Sequence, residues 1–222
     1  MSEYDPVDIT PPELRPEALA HHVPSWAEAA RTPSDVQDWA QRQKRALVPF
    51  ELDGRGWPVH PWGRTGRIGR NLGKWGENQA ADPIVVAGSG PQRQVLLITR
   101  DDIYEEAIPG GMVEPGETAP AALVRELLEE TSVDLYGHHP TILGRDIVDD
   151  WRNSDHAWVA STSALYQLPA TVTATADDDA AEVHWWPFGS LAQLDGAITA
   201  AGRTLYAAHR PLLQRALDHL AE

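Results

Sequence analysis

The chain has 222 residues, no cysteine and a formal net charge of −15 at pH 7. The lack of cysteine excludes disulfides, thiolate metal sites and thiol catalysis. The negative charge argues against extended binding to a nucleic-acid backbone, because phosphate neutralisation requires clustered lysine and arginine. A small anionic ligand is still compatible with this charge where arginine or a metal ion offsets its phosphates locally.

The beginning of the chain, MSEYDPVDITPPELRPEALA, is acidic and interrupted by proline. It has neither the basic nor the apolar segment of a secretory signal peptide, and no apolar run in the sequence approaches the length of a membrane span. We therefore expect a cytoplasmic protein whose partner is a small molecule, and neither a nucleic acid nor a membrane. A monomer and a homodimer are both compatible with the sequence.

Residues 1–61 are rich in proline and poor in alternating apolar runs. They are predicted to form a small N-terminal accessory segment, and residues 62–222 the main domain. One helix is predicted here, within TPSDVQDWAQRQKRA. Thr32 can cap it, Pro33 suits its first position and Asp35 its third.

Residues 63–83, GRTGRIGRNLGKWGENQAADP, combine glycines with cations in an otherwise acidic chain. Arg64, Arg67 and Arg70 lie close together in this segment. One interpretation is a solvated loop. The other is a substrate-binding loop whose arginines and backbone N–H groups contact a diphosphate.

Beyond Pro83 the pattern favours a sheet covered by helices. IVVAG and QVLLITR are apolar runs separated by the turn-like SGPQR, which predicts a hairpin. TILGRDIVDDW, AWVASTSALYQL and EVHWWPF are predicted as further strands. The C-terminal RTLYAAHRPLLQRALDHLAE has leucines at helical spacing, which predicts a closing helix that Pro211 bends or begins. This order indicates an α/β (α+β) fold with a mixed sheet between helices.

A central helix is predicted within GGMVEPGETAPAALVRELLEETSV, with Thr118 as its N-cap. Its buried side is predicted to consist of Ala121, Leu123, Val124, Leu127 and Leu128.

Three glutamates of this helix, Glu126, Glu129 and Glu130, are three or four positions apart, where like charges repel each other. One interpretation is a solvated acidic face. The other is a site for a hard divalent cation, because carboxylate oxygens suit Mg²⁺ and Mn²⁺. The preceding Gly110-Gly111 favours the second, since glycine lets the backbone approach a ligand closely.

A dense polar stretch between two predicted strands contains Asp150, Arg152 and Asn153. Such residues are common in turns. The functional interpretation is that Arg152 contacts a phosphate while Asp150 or Asn153 hydrogen-bonds ribose hydroxyls. Among the tryptophans, most are expected in packing, and the candidates for stacking on an adenine are Trp75, Trp151 and Trp158.

The central segment has a defined glycine or charged residue at fixed spacing: Gly111, Glu117, Arg125, Glu126, Glu129 and Glu130. This pattern resembles the signature box of the Nudix hydrolases, which implies a Nudix-type α/β/α sandwich. One position departs from the family pattern, because Ser132 stands where the family usually has glycine. That glycine ends the helix and binds no metal, so the departure concerns the local turn.

The resemblance implies that Glu126 and Glu130 bind a divalent metal directly, Mg²⁺ with Mn²⁺ as the alternative. It implies that Glu129 is a further ligand or supports the ligands, and that Gly110 offers its carbonyl oxygen. Metal would neutralise phosphate oxygens and activate a water for attack on phosphorus.

The resemblance also implies that Glu117 pairs with Arg125, which would pin the loop to the helix. In this family a catalytic carboxylate often comes from a loop that corresponds to residues 177–182. Asp178, Asp179 or Glu182 would then accept the proton of the attacking water.

Four blocks resemble the ADP-ribose pyrophosphatase branch of the family and the ADP-ribose-binding domain of a related cation channel: GRTGRIGRNLGKWGENQAADPIVV, EEAIPGGMVEPGE, VDDWRNSDHAW and ADDDAAEVHWW. The resemblance implies hydrolysis of ADP-ribose to AMP and ribose 5-phosphate. Two alternatives stay open, a Nudix enzyme for another nucleoside diphosphate derivative such as an ADP-sugar or a dinucleotide, and a sensor module that binds ADP-ribose without cleaving it.

Overall fold

A computed structural model describes residues 4–222. Their backbone forms two compact units. The first unit comprises residues 4–79 and Arg145–Ala160, and the second comprises Ala80–Gly144 and Ser161–Glu222. The predicted domain boundary between residues 61 and 62 stays a prediction. Among the residues described, no helix has the length and apolar character required to cross a membrane.

The chain up to residue 75 contains short elements. Its strands are β1 Val7–Asp8, β2 Glu51–Leu52, β3 Pro58–Val59 and β4 Arg67–Ile68, and its α-helices are α1 Pro16–Leu19 and α2 Trp39–Arg45. β1 pairs with β4 in parallel, and β2 with β3 antiparallel.

The elements that follow are longer. The strands are β5 Gly76–Ala87, β6 Gln94–Arg100, β7 Glu106–Ala107, β8 Gly111–Met112, β9 Thr141–Ile147, β10 Ala157–Leu168 and β11 Ala180–Pro187. The helices are α3 Ala119–Thr131, α4 Leu191–Ala200 and α5 Arg210–His219.

The predicted N-terminal helix begins where expected but is interrupted. Asp35 accepts hydrogen bonds from the backbone N–H and the hydroxyl of Thr32, as in a capping box. The turn that they cap, Pro33–Asp35, is a 3-10 helix that ends at Val36, which is extended with ψ 122°. The prediction of one continuous helix was therefore wrong, and α2 starts separately at Trp39.

The core of the first unit is aromatic. Phe50 packs edge-on against Trp158, with ring centroids 5.2 Å apart, and against Trp39 at 6.2 Å. Trp158 is completely buried in this cluster and Trp75 is also buried, whereas Trp151 is 55% exposed. The burial of Trp158 assigns it to packing and makes it a poor candidate for adenine stacking.

The main sheet has seven strands in the order β11-β6-β5-β10-β9, with β7 on β6 and β8 on β5. β5 and β6 form the predicted hairpin, with Val86 opposite Val95. β5 starts at Gly76, so the prediction of a loop as far as Pro83 was wrong for residues 76–83. Asp82 and Pro83 are therefore strand residues, although aspartate and proline are common in turns.

Alternate residues of β5 lie in different cores of the second unit. Val86 belongs to the same cluster as Leu194 of α4 and Leu213 of α5. The neighbouring Val85 belongs to the cluster that contains Leu127 of α3. Because successive side chains of a strand point to opposite faces, α3 covers one face of the sheet and α4 with α5 covers the other. This confirms the predicted α/β/α sandwich with a mixed sheet, and α4 is a helix that the sequence interpretation missed.

Candidate functional site

The site is built on α3, whose two ends are fixed by local bonds. The hydroxyl of Thr118 accepts the N–H of Ala121 at 3.4 Å, which confirms the predicted N-cap. Ser132 ends the helix in the left-handed conformation with φ 57°, and its N–H donates to Leu128 O at 2.9 Å. Ser132 thus adopts the backbone conformation that glycine favours at a helix end.

The buried face of α3 contains both leucines and carboxylates. Leu123 and Leu127 are completely buried, as predicted, and Ala121 and Leu128 are exposed, contrary to the prediction. Glu126 and Glu130 occupy the buried face with 8% and 6% exposure. The hydrophobic side of the helix therefore presents two carboxylates one turn apart.

Burial raises the pKa of both carboxyls. Removal from water raises the pKa of Glu126 to about 7, although the nearby Arg125 opposes this shift. The pKa of Glu130 is raised to about 8, first by burial and then by the negative charges of Glu126, Asp179 and Asp82. Buried carboxylates of this kind gain by binding a cation.

Arg125 connects the box loop to the helix. Its guanidinium donates to both carboxylate oxygens of Glu117 at 2.9 Å each and to Met112 O at 3.1 Å. The predicted pair of Glu117 and Arg125 is therefore present. Arg125 Nη1 also lies 2.9 Å from carboxylate oxygens of Glu126 and Glu129, so one guanidinium offsets part of the repulsion among the glutamates.

The glycine pair lies directly against these carboxylates. The N–H of Gly110 donates to Glu130 Oε2 at 2.7 Å. A Cβ on Gly110 would lie 2.5 Å from Ala81 O, and Gly110 has φ 152°, which disfavours other residues. A Cβ on Gly111 would lie 2.6 Å from Glu126 Oε1. At Gly110 the backbone conformation and the Ala81 carbonyl favour glycine, and at Gly111 the Glu126 carboxylate lies close to the backbone. A metal contact from the Gly110 carbonyl stays a prediction.

Asp82 is a neighbour of this site that the sequence interpretation did not identify. It is 5% exposed in β5 and accepts a hydrogen bond from the hydroxyl of Ser161. Its Oδ1 would lie 2.8 Å from a Cβ on Gly110. The available signal in the sequence is an acid directly before the apolar run PIVV, but the glycine-rich segment that precedes it favours a loop.

The loop before β11 meets the C-terminal end of α3. The N–H of Asp177 donates to Glu130 O at 3.2 Å, and that of Thr175 to Thr131 O at 2.9 Å. Asp178 has φ 51°. The pKa of the Asp179 carboxyl is raised by burial and by the charges of neighbouring aspartates. The structure thus brings this predicted acidic loop to Glu130.

Glu182 has a different environment. Its Oε2 accepts bonds from Arg203 at 2.5 Å and contacts His184 at 2.9 Å. These partners lower the pKa of the Glu182 carboxyl, which makes it a weaker proton acceptor than Asp179.

A hard divalent cation fits the donor set of Glu126 and Glu130, which are buried oxygen ligands with raised pKa values. The described side chains do not form a preassembled group of three or more metal ligands. Glu129 is bonded to Arg125, so its participation as a ligand would require exchange of that bond.

The predicted substrate arginines all lie in the first unit. Arg70 is 1% exposed and donates to the carbonyls of Gly73 and Glu28, which indicates a structural role and argues against the predicted diphosphate contact. Arg67 Nε donates to Asn153 O at 2.7 Å. Arg64 is exposed and stacks over Tyr4, with 4.1 Å from its Cζ to the ring centroid.

The residues of the first unit that are predicted to contact ribose or phosphate also form hydrogen bonds with other groups of the protein. Asp150 accepts Arg152 Nε at 2.9 Å and Nη2 at 2.7 Å. The amide of Asn153 donates to Val148 O at 2.7 Å and accepts the N–H of Val159 at 2.9 Å. Asn153 therefore holds the turn together, and Arg152, with a 30% exposed side chain, is the member of this group best able to contact a ligand.

Comparison with known families identifies the segment that contains this site. The model of the NUDIX domain matches residues 78–208. The mitochondrial ADP-ribose pyrophosphatase of Rattus norvegicus is 31% identical over 82% of this chain, which spans 63% of the rat protein. A transient receptor potential cation channel subfamily M member-like 2 of Nematostella vectensis is 32% identical over 96% of this chain and 15% of its own length.

Solved structures support the fold. The NUDIX domain of Shewanella oneidensis NrtR, solved with ADP ribose, has a TM-score of 0.51 and 19% identity, with 65% of this chain and 89% of that one covered. A bifunctional NMN adenylyltransferase/ADP ribose pyrophosphatase from Francisella tularensis has a TM-score of 0.50 and 23% identity, over 65% of this chain and 42% of that one.

Proposed function

Because the chain belongs to the NUDIX family, we propose that it hydrolyses the diphosphate of ADP-ribose to AMP and ribose 5-phosphate. The observation that carries the reaction type is the buried pair of Glu126 and Glu130, anchored by Gly110 within the matched segment. The likeness to the rat pyrophosphatase supports the choice of substrate.

The cation in this proposal is Mg²⁺, with Mn²⁺ as the alternative. Glu126 and Glu130 would hold it, Glu129 would assist, and the Gly110 carbonyl would complete the protein ligands. Bound there, the metal neutralises phosphate oxygens and lowers the pKa of a bound water. Arg125 keeps Glu117 and the box loop in place, so the ligand positions are fixed before substrate binds.

Substrate contacts and proton transfer are assigned to two further groups. Arg152 would contact a phosphate oxygen, since a guanidinium forms charge-assisted bonds to phosphate. Asp179, with Asp178 beside it, would accept the proton of the attacking water. Its raised pKa makes this carboxylate a stronger proton acceptor than an ordinary aspartate. A cytoplasmic location and a monomeric or homodimeric state are also part of this proposal.

Product release from ADP-ribose tests the reaction. AMP and ribose 5-phosphate would be quantified with Mg²⁺ for the full chain, with ADP-glucose as the substrate control. Glu130→Gln should lose activity, while Glu114→Gln, which changes an exposed carboxylate of the loop before α3, should retain it. Turnover of ADP-glucose at an equal rate would replace the proposed substrate with a broader class.

The second candidate is a sensor module that binds ADP-ribose without cleaving it. Arg125 already offsets part of the negative charge of Glu126 and Glu129, which in this alternative takes the place of a bound metal ion. Saturable binding of ADP-ribose without product release at any metal concentration would support the sensor and overturn hydrolysis.

A further inference from the structure

Arg203, which lies between α4 and α5, joins three neighbouring strands of the main sheet through one guanidinium. Thr99 of β6 is opposite Glu106 of β7 on one side and opposite Glu182 of β11 on the other. Arg203 Nη1 donates to the Thr99 hydroxyl and, at 2.9 Å, to Glu106 Oε1. Arg203 Nη2 donates to Glu182 Oε2. All four residues belong to the second unit, and the rigid fork of a guanidinium suits a bridge of this kind.

The inner end of the bridge is a buried carboxylate. Glu106 is completely buried, and its other side-chain donors are the hydroxyl of Thr99 and the indole N–H of Trp186, the latter at 2.8 Å. A buried charge is stable only when it is paired and hydrogen-bonded, and Arg203 is the paired cation. The position of the guanidinium is therefore set from inside the fold.

The outer end of the bridge lies at an irregularity of β11. Ala180 is opposite Arg100 of β6, whereas Glu182 is opposite Thr99, so Ala181 is an extra residue of β11 at this point. Such a β-bulge redirects a strand and changes its register by one residue, which turns the following side chains to the other face of the sheet. The bond from the guanidinium to Glu182 holds the strand at this bulge.

The bulge directly follows the loop that carries the proposed proton acceptor. Asp179 immediately precedes β11, and its carbonyl accepts the N–H of Asp101 at 3.2 Å. On its other side the loop meets α3, where the N–H of Asp177 donates to Glu130 O at 3.2 Å. The direction of the Asp179 carboxylate therefore depends on the register of the strand residues that come after it.

We propose that Arg203 is a positioning residue for the hydrolysis of ADP-ribose. Through Glu182 it fixes the bulge of β11, and it thereby holds Asp179 in the orientation required to accept the proton of the attacking water. The inference rests on the proposed function, in which Asp179 has that role. Glu182 then serves as an anchor of the strand, in place of the proton-accepting role that the family resemblance allows for it.

Hydrogen exchange measures the position of the loop without catalysis. The variant is Arg203→Lys, which keeps the charge beside Glu106 but loses the fork. The matched control is Arg210→Lys, because Arg210 donates to both carboxylate oxygens of Asp195 in the same unit, between α5 and α4. In the metal-free full chain, residues 177–187 should exchange at least about tenfold faster in Arg203→Lys than in the control, with β10 unchanged in both. Mass spectrometry of the exchanged peptides would measure this.

Kinetics test whether the position of the loop serves catalysis. With ADP-ribose and Mg²⁺, Arg203→Lys should lower kcat by about tenfold and change KM by less than about twofold. In the Asp179→Asn background the same substitution should lower kcat by less than about twofold, because the group that it positions is already absent. A purely structural role would lower kcat by the same factor in both backgrounds.

The outcomes separate the inference from the proposed function. Equal exchange of residues 177–187 in Arg203→Lys and Arg210→Lys would overturn the inference, and so would equal factors for kcat in the two backgrounds. Glu182→Gln should lower kcat by only about tenfold, and a loss above about 100-fold would make Glu182 the proton acceptor and also overturn it. Absence of AMP release by the unmodified chain would reject the proposed function and with it the catalytic role of Arg203, whereas the exchange result would still show whether Arg203 holds the loop.

Discussion

The backbone N–H of Gly110 donates a 2.7 Å hydrogen bond to Oε2 of Glu130, a residue 20 positions later on α3. This bond holds the loop at the beginning of the Nudix signature box against a buried carboxylate near the end of the box. It favours the charged form of Glu130 and therefore opposes the effect of burial on its pKa. The position of Glu130 thus depends on a backbone path that glycine makes possible.

Replacing Gly110 should disturb both stability and activity. A Cβ would lie 2.5 Å from Ala81 O in a backbone conformation with φ 152°, so Gly110→Ala should destabilise the fold by about 1–3 kcal/mol. The loop must shift to relieve the contact, so ADP-ribose hydrolysis should fall by at least about tenfold. Thermal unfolding and product release measure the two effects.

Gly54→Ala is the matched control, because no atom lies within 4 Å of its added Cβ and no positive φ is required there. It should change neither quantity appreciably. If Gly110→Ala were as stable and active as Gly54→Ala, the proposed dependence of Glu130 on the glycine path would be wrong.

The local parts of the site could be predicted from the sequence. The N-cap at Thr118 follows from the residue pattern, and the pair of Glu117 with Arg125 is implied by the family resemblance; both join residues within eight positions of each other. In contrast, Asp82 and Ser161 are 79 positions apart and meet through neighbouring strands of the fold. No local pattern encodes that contact.

Two features differ from what the local sequence suggests, and they have similar physical causes. Arg70 was predicted to contact a ligand because it lies among glycines and cations, but it is buried against Glu28, 42 positions earlier. The helix α4 was missed because Gly196 lies within it, and glycine has low helix propensity. Tertiary packing outweighed the local preference in both cases.

Shortening Arg125 should weaken the site without removing its charge. Arg125→Lys loses the fork that holds both oxygens of Glu117, so kcat/KM for ADP-ribose should fall by roughly 10–100-fold. Steady-state kinetics at several Mg²⁺ concentrations would measure this, with Arg145→Lys, at an exposed position, as control. Equal kinetics for the two variants would show that the fork is dispensable.

The stability of the metal-free protein should depend on pH through the buried carboxyls. The pKa of Glu130 is about 8 against an ordinary 4.5, and that of Glu126 is about 7. Between the ordinary and raised values the folded state retains protons that the unfolded state releases, so stability falls as pH rises through this window. In EDTA, Tm should therefore decrease from about pH 5 to pH 8, and Glu130→Gln should reduce the decrease.

The stabilisation by added Mg²⁺ should increase with pH, whereas the stability of the metal-free protein should decrease. Mg²⁺ binds deprotonated carboxylates, so the rise in Tm on adding Mg²⁺ should be larger at about pH 8 than at about pH 5.5. Differential scanning fluorimetry at both pH values would measure it. A rise that is equal at the two pH values, or that persists in Glu130→Gln, would argue against metal binding at this carboxyl.

The glycine within α4 offers a prediction of increased stability. Gly196 is exposed in the helix interior, its φ is not in the left-handed region, and no atom lies within 4 Å of an added Cβ. Alanine reduces the backbone entropy lost on folding, so Gly196→Ala should stabilise the protein by roughly 0.5–1 kcal/mol. Urea unfolding would show a higher midpoint with an unchanged slope. Because Gly196 contacts none of the groups assigned to the site, hydrolysis should be unchanged, and a lower midpoint would contradict the helical environment described for this residue.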